Sequence, residues 1–101
     1  MSEYLIVIEG EQFVVDAPHV LAAWEVAFAQ AALMRHEGLL PQEEIEVSVF
    51  SMREVKRRGI PVLFPKRLNR LDVLKKVEEV RAGFRKIRGQ ATLEQFTGVR
   101  A

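Results

Sequence analysis

The sequence predicts an α+β domain: an antiparallel-rich sheet of three or four strands, opening with a β-hairpin and packed with two long helices. Three observations carry this. Two β-branched apolar runs flank a glycine turn near the N-terminus, two long stretches carry helical periodicity, and a short alternating run lies between them. The expected order is β-β-α-β-(short α)-β-α.

Tyr4-Leu5-Ile6-Val7-Ile8 and Gln12-Phe13-Val14-Val15 read as the hairpin strands, and Glu9-Gly10-Glu11 supplies the glycine of a tight turn. Both faces of the first strand are apolar, which suits a central strand covered on both sides. Asp16-Ala17-Pro18 predicts a helix start, with a capping acid ahead of a proline in the first turn. That helix runs to about Glu37, where Gly38 and then Pro41 stop it. Ile45, Val47 and Val49 alternate with Glu44, Glu46 and Ser48, the pattern of a half-exposed strand.

Ser51-Met52-Arg53-Glu54 has capping-box spacing, so residues 52–58 form either a short helix closed by Gly59 or an extension of the preceding strand. Ile60 to Phe64 is a short apolar piece bracketed by Pro61 and Pro65, which predicts an edge strand. Asn69 followed by Asp72 opens the second long helix, ending near Gly89. The expected domain covers residues 1–89, with 90–101 a C-terminal tail. The core expected from these elements is Leu5, Val7, Phe13, Val15, Trp24, Phe28, Ala31, Val47, Val49, Val77, Val80 and Phe84.

At 49% hydrophobic and 29% charged, the chain is neither disordered nor collagen-like. No apolar run approaches the ~20 residues of a membrane span, and no signal-peptide pattern opens the chain. With no cysteine there is no disulfide, thiolate metal site or cysteine nucleophile. A cytoplasmic or otherwise intracellular domain is expected, in a host cell if the gene is viral. Twelve Glu against two Asp, ten Arg against five Lys and a single Asn fit a thermophile, although a GC-rich genome would also favour Arg.

Charge is distributed unevenly. Residues 1–50 hold nine acids and one base, and residues 51–101 hold fourteen bases and five acids, so a net charge of +1 hides two opposed halves. Such asymmetry points to nucleic-acid contact or an interaction tail, or to halves that pair their charges across the surface.

The two helices give two functional readings. On the first, Val20, Trp24, Ala27, Phe28, Ala31 and Met34 form one stripe at 100° per residue, the expected core face. The opposite side reads Ala22, Val26, Ala29 and Leu33, where a solvent face would be charged. A helix apolar all round calls for cover on both sides, so these four are the expected protein interface of a homo-oligomer or of a docked partner. Replacing Val26 and Leu33 by Glu is then expected to dissociate the assembly without unfolding the domain. On the second helix, Val73, Val77, Val80, Phe84 and Ile87 form the apolar stripe, flanked by the arginine ridge Arg81, Arg85 and Arg88. With Lys56, Arg57, Arg58, Lys66, Arg67 and Arg70, that ridge could track phosphates as a nucleic-acid interface. Glu78 and Glu79 interrupt it, as on an ordinary solvated helix.

No constellation points to catalysis. His19 and His36 lie at opposite ends of one helix, about 25 Å apart at 1.5 Å per residue, and cannot share a metal within one chain. Glu44 and Glu46 share one side of a strand as a solvated acidic edge rather than a cation site. There is no P-loop, nucleophile elbow or dinucleotide glycine pattern. The sequence therefore predicts no catalytic residue, no metal and no cofactor. The functional expectation is a non-enzymatic assembly module, with a nucleic-acid accessory protein as the alternative.

Overall fold

The computed structural model describes residues 1–41 and 43–83. Strands β1 (Ser2–Ile8) and β2 (Glu11–Ala17) form the N-terminal hairpin. Both turn residues have positive φ, 48° at Glu9 and 83° at Gly10, the turn whose twist matches that of paired strands. Helix α1 (Val20–His36) leads to β3 (Val47–Ser51), α2 (Met52–Arg58) and β4 (Lys66–Leu68), and a third helix, α3, occupies residues 70–83. The four-stranded sheet has the order β3-β1-β2-β4, with β4 parallel to β2 and the other pairs antiparallel. This is the expected α+β fold.

Because β1 lies inside the sheet, both of its faces are covered, as its two-sided apolar pattern requires. Tyr4, Ile6 and Ile8 join Phe13 and Val15 in the larger core beneath α1, with Val73 and Val77 of α3 in the same cluster. Leu5 and Val14 face the other way and are covered by Val55 of α2, with Phe50, Ile60 and Val62 packed around them. At one end of that second face Arg67 of β4 reaches Glu3 of β1 at 2.8 Å and Asp16 of β2 at 3.4 Å. The acidic half of the chain is tied to the basic half there, and the hydrogen bond to Glu3 is the main cause that holds the Arg67 guanidinium above its ordinary pKa.

Several local expectations need correction. Asp16 and Ala17 are still strand; the helix cap is His19, whose Nδ1 accepts from Ala22 N at 3.2 Å. A hairpin partner to Ser2 and Glu3 keeps that stretch in the ladder, so the helix starts only after Pro18. Residues 52–58 are helix, with Ser51 Oγ accepting from Glu54 N at 3.1 Å and Gly59 closing it at φ 67°. Residues 60–64 are not a strand. Gln12 clamps them instead: its Nε2 donates to Pro61 O at 2.7 Å and its Oε1 accepts from Leu63 N at 2.8 Å. The edge strand begins two residues later, past Pro65. Asn69 does cap α3, its Oδ1 accepting from Asp72 N at 3.1 Å. The expected helix end near Gly89, the core residue Phe84, the ridge residues Arg85 and Arg88, and the tail 90–101 lie outside the described residues.

Candidate functional site

Helix α1 sits on the sheet turned by roughly a quarter turn from the orientation expected of it. Ala22, Val26, Ala29 and Leu33 are all buried in the larger core, and Val26 has no solvent exposure at all. They are therefore unavailable as a protein interface in the folded chain. Of the expected core stripe, Ala27, Ala31 and Met34 are buried, whereas Val20 is 46% and Phe28 60% exposed. The physical reason is space. Ile6, Ile8, Phe13 and Val15 already fill the layer above the sheet, and a helix can approach them closely only where its own side chains are small. The alanine-rich face goes down, and the bulky aromatic side is left outside.

That outer side is a ridge. Leu21 is 72% exposed, Phe28 stands above it, and Trp24, half-buried, stacks on Phe28 with ring centroids 5.5 Å apart. Glu25 is the one acid within this arc of the helix. On the opposite flank, Ala32, Leu33 and His36 of α1 face Val77 and Val80 of α3 across a groove of about 460 Å³, rimmed by Arg35 and Arg81. The Trp24–Phe28 flank therefore points away from α3. Since β3 is one of the two outermost strands and α1 packs on it, this flank lies on the β3 side of the sheet.

Among the described residues, no strand pairs with the outer side of β3. Glu46 directs its carbonyl at Glu9 N (3.0 Å) and its N–H at the Glu9 carboxylate (2.8 Å), toward β1. Antiparallel strands alternate in the direction of these groups, so Ser48 and Phe50 also face β1. Val47 and Val49 direct their N–H and C=O outward, where no strand among the described residues receives them. Just before β3, Arg35 Nη2 donates to Glu43 O at 2.9 Å and fixes the acidic stretch Glu43, Glu44, Glu46 beside the edge.

The structure divides the candidate nucleic-acid residues. Lys56, Arg57 and Arg58 lie on α2, on one face of the sheet; Arg81 lies on α3, on the other. Several are engaged: Arg57 and Arg58 with Glu54, Arg67 with Glu3 and Asp16, Arg81 with Glu78. Lys66 opens β4 and Arg70 opens α3. Arg58 also stacks over Phe50, 5.9 Å from the ring centroid. Lys56, Arg57 and Arg58 stay together on α2, while Arg81 lines the α1–α3 groove opposite Arg35 and His36.

Sequence reasoning missed Leu21, and it missed Leu63 and Phe64, which stand 72% and 98% exposed at the tip of the clamped loop. Phe64 also holds φ at 49°, unusual for a bulky residue. The signal available was Pro61 and Pro65, which prevent that apolar piece from being buried in a ladder. Among the described residues no three His, Asp or Glu gather as a metal site, and no helix is long and apolar enough to cross a membrane.

Comparison with protein-family models, curated proteins and solved structures finds no match.

Proposed function

We propose that this chain is a non-enzymatic assembly module that associates through the outer ridge of α1. The observation that carries this reading is the exposure of Leu21 and Phe28, contiguous with Trp24, on a rigid helix of a small domain. Contiguous exposed apolar surface of this kind marks contact sites. The aromatic pair is also the residue type enriched at the energetic centres of interfaces.

Trp24 is the sole tryptophan, so its fluorescence reports directly on this ridge. As protein concentration rises, its emission is expected to shift to the blue and its quenching by acrylamide to fall. Replacing Leu21 and Phe28 together by Glu abolishes both changes. Quenching that does not depend on concentration, or on addition of a purified partner, overturns the reading.

A second reading, nucleic-acid binding, is favoured by α2, where Arg53, Lys56, Arg57 and Arg58 are exposed around a single acid, Glu54. Binding would then weaken steeply with salt. Lys56→Glu with Arg57→Glu would lower the slope of log affinity against log salt by about 1 for each phosphate that is no longer neutralised. Absent or salt-insensitive binding to both DNA and RNA removes it.

A further inference from the structure

We infer that the partner on this ridge is a second copy of the chain, joined by antiparallel pairing of the two β3 strands about a twofold axis at Val49. The inference rests on the assembly reading above and names its partner and geometry.

The two edges of the sheet are built differently. The β4 edge is three residues long, carries Lys66 and Arg67, and follows Pro65. Those are the features that keep a strand edge from pairing with another chain. The β3 edge has five residues, Val-Ser-Val-Phe-Ser, with no charge and no proline. Among the described residues no strand, charge or proline blocks it, and its outward ladder groups belong to Val47, Val49 and Ser51.

Charge selects the occupant. A twofold contact sets the groups on its axis against their own symmetry mates, so its centre must be uncharged, and β3 is. Its flanks are opposite in sign. Glu43, Glu44 and Glu46 precede the strand, and Arg53, Lys56 and Arg57 follow it on α2, where the only acid, Glu54, already engages Arg57 and Arg58. Antiparallel pairing of two copies brings the acidic flank of each beside the basic flank of the other, twice. Parallel pairing would set acid against acid. The opposed charge halves of the sequence thus meet at one strand.

Centring on Val49 uses the whole strand: Val47 meets Ser51, Ser48 meets Phe50, and Val49 meets itself in a hydrogen-bonded pair. The result is a continuous eight-stranded sheet, with both α1 helices on one face. Trp24 and Phe28 of the two copies then close over the seam. Strand pairing alone buries too little for a stable interface, which needs about 1,200 Å² or more, so the helix flanks are part of it.

The chain has no cysteine, so single-cysteine variants cross-link without background. Val49→Cys is expected to oxidise to a covalent dimer, because a hydrogen-bonded pair sets its Cα atoms about 5.5 Å apart, within disulfide reach. Ser48→Cys is not, because its own mate lies diagonally, about 7–8 Å away. Light scattering should give twice the 11.5 kDa of one chain. Val49→Pro removes an outward N–H without touching the β1 ladder and should leave a folded monomer; if it does not fold, the cysteine pair decides.

A wild-type monomer at all concentrations overturns the inference, as does cross-linking of Ser48→Cys as fast as Val49→Cys, or a folded Val49→Pro that stays dimeric. Concentration-dependent shielding of Trp24 without a Val49→Cys dimer overturns the twofold pairing and leaves the ridge reading standing.

Discussion

Val26→Glu is expected to leave no folded protein at 25 °C, while Phe28→Glu, two positions further along the same helix, still folds and loses only the stability that association at the ridge supplies. Val26 has no exposed surface and belongs to the larger core with Ile6, Ile8 and Phe13, and among the described residues no charged side chain is buried to receive a carboxylate. Burying an unpaired charge costs several kcal/mol even after relaxation. The whole domain is held by about 5–15 kcal/mol, so one such substitution consumes most of it. Phe28 is 60% exposed in the single chain, and a change there is expected to cost that chain within about 0.5 kcal/mol, apart from the lost stacking on Trp24. Thermal melting by circular dichroism separates the two. A Val26→Glu protein that melts near the parent would mean that α1 presents the opposite face to the sheet.

Ile6→Ala should be the most damaging simple truncation. Ile6 is fully buried on the central strand, opposite Phe13 on one side and Val49 on the other. Removing its outer carbons leaves a cavity that three neighbouring elements cannot all close. The expected cost is about 2–5 kcal/mol. At about 4–8 °C per kcal/mol for a domain of this size, the midpoint falls by about 8 °C or more. Leu63→Ala, at a position 72% exposed on the clamped loop, is the matched control and should shift the midpoint little. Equal losses at the two sites would contradict the placement of β1 at the centre of the sheet.

The fold was legible where local chemistry and tertiary position agree. Glu9-Gly10 between two apolar runs can hardly be anything but a hairpin turn, and both residues do take positive φ. The two-sided apolar pattern of β1 announces a strand inside a sheet covered on both faces. Ser51 and Asn69 announce helix starts because a short polar side chain can accept an orphan backbone N–H three residues on, whatever lies around it. Gly59 ends α2 for an equally local reason.

The surface was less legible, and α1 shows why. Apolar periodicity identifies the helix, but when nearly every position is apolar it cannot say which side faces the sheet. The side with the largest side chains is the one that periodicity favours. What decided otherwise was the volume already filled by Ile6, Ile8, Phe13 and Val15, together with α3 lying alongside, so that the buried arc is broad and lined by alanine. In the same way, Ile60 to Phe64 has strand composition, but whether it joins a ladder depends on what β2 offers. Gln12 offers a side-chain clamp there, and Lys66–Leu68 takes the edge position instead.

By itself, then, the sequence determined the class of fold, the hairpin, the start of α3 and the opposed charges of its two halves, because each follows from the residue types themselves or from groups a few residues apart. The tertiary structure decided which apolar face is core, which edge of the sheet stands unguarded and which charges flank it. Those depend on the volumes and directions of groups tens of residues apart, which no local pattern records.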